Sequence, residues 1–145
     1  MFDNTLTLFN YDATTDCWIK NVIYGVDYGY DDSTNSTTTG EINAEQMVIL
    51  IPSDRSGAII TAEDGEKQYL PRIAYQNEAD KTDKLTFQSG TDFVYFGNFT
   101  DSVSLSDESY DSGMYNYMNE KYDNIYMVRG CSWYSLIPHF EVVVR

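Results

Sequence analysis

The chain has 145 residues, 42% of them hydrophobic and 15% aromatic, and its 23 acidic against nine basic side chains give a formal net charge of −14. That length and apolar share suit one domain with a sizeable core and exclude a chain kept disordered by its composition. The charge excludes a surface that grips duplex DNA, since that affinity comes from Lys and Arg neutralising phosphates. What remains is a well-solvated surface, or one past which nucleic acid slides without sticking.

LTLFNY (6–11) reads as a strand, 12–16 as a turn, and CWIKNVIYGVDYGY (17–30) as a long strand, so the chain opens on a hairpin. Trp18, Lys20, Val22, Tyr24 and Val26 fall on one face, with Ile19, Ile23 and Tyr28 breaking strict alternation. The polar stretch 31–46 has no apolar period and reads as a long loop. MVILIP (47–52) is a continuous apolar run stopped by Pro52, expected to be a strand buried on both faces.

A turn at 53–57 leads to a hairpin predicted around Asp64-Gly65, with Pro71 demoting its second arm to an edge or irregular stretch. Residues 76–84 are charged and expected to be exposed; 85–90 and 90–99 supply short apolar segments bounded by glycines. Met114, Tyr117, Met118 and Tyr122 repeat at helical spacing and predict one short helix near 114–122, with Ser104 or Ser106 as a candidate start cap. Segments 124–130 and 132–145 read as closing strands with Gly130 at the turn between them. The sum is a single mainly β domain over 1–145, a small β-barrel or sandwich with one short helix and long loops.

Catalytic chemistry finds little to rest on. Ser-His-Asp catalysis needs a histidine, and the only one, His139, sits after Pro138 at the start of an apolar closing strand, where a structural or interface role is expected. The carboxylates are scattered and single out no pair for glycoside hydrolysis; no EF-hand loop or glycine-rich phosphate loop occurs. Cys17 and Cys131 make no CxxC and are expected to be buried free thiols. The start has an acid at Asp3 and no basic region of a secretory signal, and no apolar run approaches the ~20 residues needed to span a bilayer. No catalytic residue, cofactor or metal is therefore expected, and a binding or structural role is favoured over an enzyme.

Several segments, in order, carry a resemblance. LTLFNY is followed by a second strand with Trp18, Lys20, Ile23, Gly25 and Val26, then by Ile51-Pro52, by Gly90, Asp92, Phe93 and Gly97, and by Leu136, Pro138, His139, Phe140 and Val142. This order resembles a family of small tailed-phage structural proteins of Gram-positive bacteria, similar in pattern to head–tail connectors, with Thr91 inserted before Asp92 and Phe140 in place of a tryptophan.

The resemblance implies a stopper or head-completion protein of the virion neck, made in the host cytoplasm and assembled as a ring, usually a hexamer, between portal or adaptor and tail. Its partners would be further copies of itself, the portal or adaptor proteins, and a tail terminator or tail tube. Packaged DNA would pass through without specific binding, and no membrane is involved. Trp18, Gly25, Pro52, Gly90, Asp92, Gly97, Pro138 and His139 become structural motif positions. The polar loop, with Asp31, Asp32, Asn35, Glu41 and Glu45, becomes a candidate interface or gate. The alternatives are a tail terminator ring, a carbohydrate- or host-binding β module with a tyrosine platform, and, last, an acidic hydrolase.

Overall fold

A computed structural model describes residues 3–30 and 46–145. Nine strands and two short α-helices occur among them: β1 (Asn4–Asp12), β2 (Cys17–Tyr30), β3 (Met47–Pro52), β4 (Ile59–Ala62), β5 (Gly65–Tyr69), α1 (Arg72–Asn77), β6 (Lys84–Leu85), β7 (Phe93–Phe96), α2 (Met114–Lys121), β8 (Ile125–Tyr134) and β9 (His139–Val144). Six strands close an antiparallel barrel in the order β1-β2-β3-β9-β8-β7. Closure removes the exposed sheet edges that invite aggregation. The remaining three form a sheet in the order β4-β5-β6, with β5 and β6 parallel.

The apolar residues divide into two cores on opposite sides of one wall. Leu6, Leu8, Ile23, Val26, Ile49, Ile51, Val94, Val128, Phe140, Val142 and Val144 form the first, and the small sheet adds Ile60, Ala62 and Leu85. Phe9, Trp18, Phe93, Phe99, Met114, Met118 and Ile125 form the second, where α2 and the 99–110 segment cover the other face of the wall. Along β1, Leu6 and Leu8 point one way and Phe9 the other, so both faces carry buried apolar side chains. Phe9 stacks on Phe93 at 4.7 Å and Trp18 meets Phe93 edge-on at 4.9 Å. Each such buried side chain contributes about 1.5–3 kcal/mol.

Gly25 accounts for the broken alternation of β2. Asn4 pairs with Val26 and Thr5 with Tyr24, so Gly25, at φ 76°, is a bulge residue. Before it Ile23 faces the core, after it Val26 does, and Tyr24 is left outside.

Several expectations need correction. β3 alternates and is not buried on both faces: Ile49 and Ile51 are buried while Met47, Val48 and Leu50 are half-buried. β5 is the central strand of its sheet, and Pro71 caps a second helix, α1, instead of spoiling a strand; proline suits a helix start because it lacks only an N–H that would go unused. In the 76–84 segment Lys81 is buried and paired with Asp12 at 3.2 Å. Gly130 lies within β8 at a register shift, and the turn falls at 135–138. Neither Ser104 nor Ser106 caps α2; Asp107 Oδ1 accepts the Met114 N–H at 2.9 Å. Cys17 and Cys131 are free, as expected, but half-buried.

Candidate interaction interface

The β8–β9 hairpin tip carries the most exposed large apolar side chains among the described residues: Leu136 is 94% and Ile137 70% exposed. Burying such groups elsewhere is favourable, so leaving two adjacent ones in water calls for a reason. The tip is braced from beneath. The Trp133 indole N–H donates to Ser53 Oγ at 3.0 Å, and the Ser53 N–H donates to the Pro138 carbonyl at 3.2 Å. Trp133 also lies against Gly57, whose φ of 75° and missing Cβ let the ring approach; a Cβ there would stand 2.6 Å from the indole.

His139 locks the far side of the tip. Nδ1 lies 2.6 Å from the Ile137 carbonyl and Nε2 2.9 Å from Glu141 Oε2, and the ring stacks on Tyr134 at 5.3 Å. Burial alone lowers the imidazole, but the Glu141 and Ile137 acceptors outweigh it and hold His139 above its ordinary value. When the ring is protonated, its two nitrogens donate to these two acceptors. Pro52, exposed at the end of β3, pairs with His139. Alongside, Val48 pairs with Val143, both half-buried, so a partly apolar strip runs from the tip along the outer face of β3 and β9.

The other motif positions serve the wall. Trp18 donates its indole N–H to Asp107 Oδ1 at 2.9 Å, which ties β2 to the segment preceding α2. Gly90 (φ 78°) donates its N–H to the Val128 carbonyl, and Gly97 (φ 128°) to that of Thr5. Asp92 is fully buried and accepts four N–H groups at 2.7–2.9 Å: the backbones of Tyr11 and Gln88 and the side-chain amides of Asn10 and Gln88. Burial nevertheless pushes its carboxyl up to about 7. Gln76 of α1 completes the network, donating to the Tyr11 carbonyl at 2.7 Å and to Gln88 Oε1 at 2.8 Å.

Asp31, Asp32, Asn35, Glu41 and Glu45 lie outside the described residues. The structure thus brings Pro52, Pro138 and His139 together and places Trp18, Gly25, Gly90, Asp92 and Gly97 in or along the wall. Sequence reasoning noted Leu136 only as a motif position and passed over Ile137; two apolar residues between a serine and a proline were the available signal.

Among the described residues no group of three or more His, Cys, Asp or Glu side chains is placed to hold a metal ion, and no helix is long and apolar enough to cross a membrane. A cleft of about 550 Å³ beside α2 is lined by Tyr110, Asp111, Asn116, Tyr117 and Glu120, with the two tyrosine rings 4.6 Å apart. In comparison with known proteins, a family of unknown function (DUF6751) matches over residues 1–144. No curated protein and no solved structure matches.

Proposed function

The chain belongs to the DUF6751 family, and we propose that it is a structural protein of the phage neck, a stopper that forms a ring between the portal or adaptor and the tail. The observation that carries this reading is a closed six-stranded barrel from which a braced hairpin projects Leu136 and Ile137 into solvent. A ring needs a heterologous contact in which one patch on each copy meets a different patch on the next. A rigid apolar tip is suited to that role, and the half-buried strip of Val48 and Val143 extends it. The net charge of −14 suits a lumen that conducts DNA without gripping phosphate. Helices of six and eight residues support a stopper over a tail terminator, for which more helix is expected.

The test is native mass spectrometry of the chain alone and with the proteins encoded beside it. A cyclic oligomer or a complex with portal, adaptor or tail proteins is expected, and a monomer that ignores all of them contradicts the reading.

A second reading rests on the cleft beside α2. Paired tyrosine rings with flanking carboxylate and amide groups are a composition that binds sugars, the rings packing on apolar faces and the polar groups on hydroxyls. A glycan array with the wild type and a Tyr117→Ala variant separates the two, since flat binding across the array removes this reading.

A further inference from the structure

Lys20, Lys67 and Lys81, three of the five lysines in this acidic chain, line one cleft of about 350 Å³ together with Asp12, Asn21 and Asp64. Two of these lysines are buried, Lys67 at 4% exposure and Lys81 at 6%. Burying an ammonium is costly unless its hydrogens are satisfied. Lys67 Nζ donates to Asp64 Oδ2 at 3.1 Å and to the Thr82 carbonyl at 2.6 Å. Lys81 Nζ donates to the Glu78 carbonyl at 2.7 Å and lies 3.2 Å from Asp12 Oδ1. An ammonium has three N–H groups, so each of these arrangements leaves one unspent.

Asn21 supplies a further donor. It is 3% exposed, and its Nδ2 finds no acceptor among the described residues. It stands on β2 directly opposite Leu8, where an apolar side chain would fit the core without the cost of an unpaired amide. A buried donor kept at that cost, on the wall of a cleft with two lysines whose hydrogens are only partly used, is what an oxyanion requires. Lys20 directs its ammonium to the Phe99 carbonyl at 3.1 Å, and the other four charged side chains lining the cleft balance one another. More distant carboxylates are screened over a Debye length of about 8 Å at physiological salt.

We infer that this cleft binds a small oxyanion, a phosphate or carboxylate group, held by the Asn21 amide and the Lys67 and Lys81 ammonium groups. The site stands apart from the hairpin tip and does not depend on the neck assignment.

The experiment is a titration of the full chain with inorganic phosphate, and separately with acetate, at constant ionic strength, followed in the nitrogen–proton NMR spectrum. A saturable shift of the Asn21 side-chain amide pair and of neighbouring cleft amides is expected. Saturation by both anions identifies a general oxyanion site, and saturation by phosphate alone a phosphoryl site. Asn21→Leu is expected to weaken binding about tenfold or more, the loss of one hydrogen bond to a charged group, while raising the melting temperature of the anion-free protein. Absence of saturation, or shifts that sodium chloride reproduces at the same ionic strength, overturns the inference on the wild type alone, whether or not the variant folds. Equal affinity in a folded Asn21→Leu variant overturns the role of Asn21 and with it the site.

Discussion

The Asn10 amide donates to Asp92 Oδ2 at 2.7 Å, joining the inner face of β1 to the entry of β7 across 82 positions of sequence. The same Asn10 Nδ2 also donates to the Thr86 carbonyl at 2.7 Å. One side chain therefore fixes the first strand against the segment that precedes β7, at a point where the apolar core gives way to polar groups.

Removing the Asp92 carboxylate leaves up to four buried N–H donors without an acceptor. Asp92→Ala is expected to destabilise the fold by about 3 kcal/mol or more, and Asp92→Asn by about 1–3 kcal/mol, because the amide accepts at one oxygen only and opposes the remaining donors with its own. Urea unfolding followed by tryptophan fluorescence measures both. A loss below about 0.5 kcal/mol for Asp92→Ala, the size of an ordinary surface change, contradicts the account.

The pH dependence has a definite sign. Burial raises Asp92 from 3.8 to about 7, so the folded state holds a proton that the unfolded chain releases. Its favourable contribution is present at the acidic end of that window and is lost as pH rises from about 4 through 7, at up to about 1.4 kcal/mol per pH unit. His139, held above its ordinary value by Glu141, acts in the same direction as pH rises through its folded value. Asp12 acts oppositely: burial works to raise it, the Thr14 N–H, Lys81 and Thr15 outweigh that and hold it low, and its contribution disappears in acid. Melting temperature should therefore peak in mildly acidic solution and fall toward pH 8, with a shallower fall in Asp92→Asn. A melting temperature that rises steadily to pH 8 sinks this argument.

Gly57 combines a left-handed backbone with the face of Trp133. Gly57→Ala should cost about 1–3 kcal/mol from steric overlap and backbone strain together and should loosen the support under the hairpin tip. The indole of Trp133 then becomes more accessible to acrylamide quenching; quenching equal to wild type shows that the turn does not brace the tip.

Leu136→Asp with Ile137→Asp places two charges on a surface already open to water. The fold should be unchanged within about 0.5 kcal/mol, while association between copies or with neck partners is lost. Sedimentation of wild type and variant in the presence of those partners reads the difference directly. Undiminished association assigns the contact to another surface.

Much of the fold was legible because its signals are local. The opening hairpin, the Asp64-Gly65 turn, helix α2 and the strand after Pro138 follow from periodicity and turn chemistry. The double core is harder to read, since Phe9 and Leu8 are both buried and only the layer that α2 lays over the wall explains why. Helix α1 went unseen because six residues, RIAYQN, are too few to show a period, and Pro71 reads equally as a strand breaker and a helix start. Gly130 reads as a turn because a glycine beside a bulge inside a strand carries the same local signature. At the hairpin, His139 begins the last strand, as its place after Pro138 implies. The exposure of Leu136 and Ile137 depends on where the barrel ends, and its one local mark is their place between Ser135 and Pro138. The cleft of Lys20, Lys67 and Lys81 joins positions up to 61 residues apart and was equally invisible.

The most direct test of the central claim is to image the neck of the intact virion with this chain tagged. The account predicts a ring of copies, six being the usual number, seated between the portal or adaptor and the tail, with the β8–β9 tips at contacts between copies or with the adjoining ring. Virions that lack the chain altogether would contradict it.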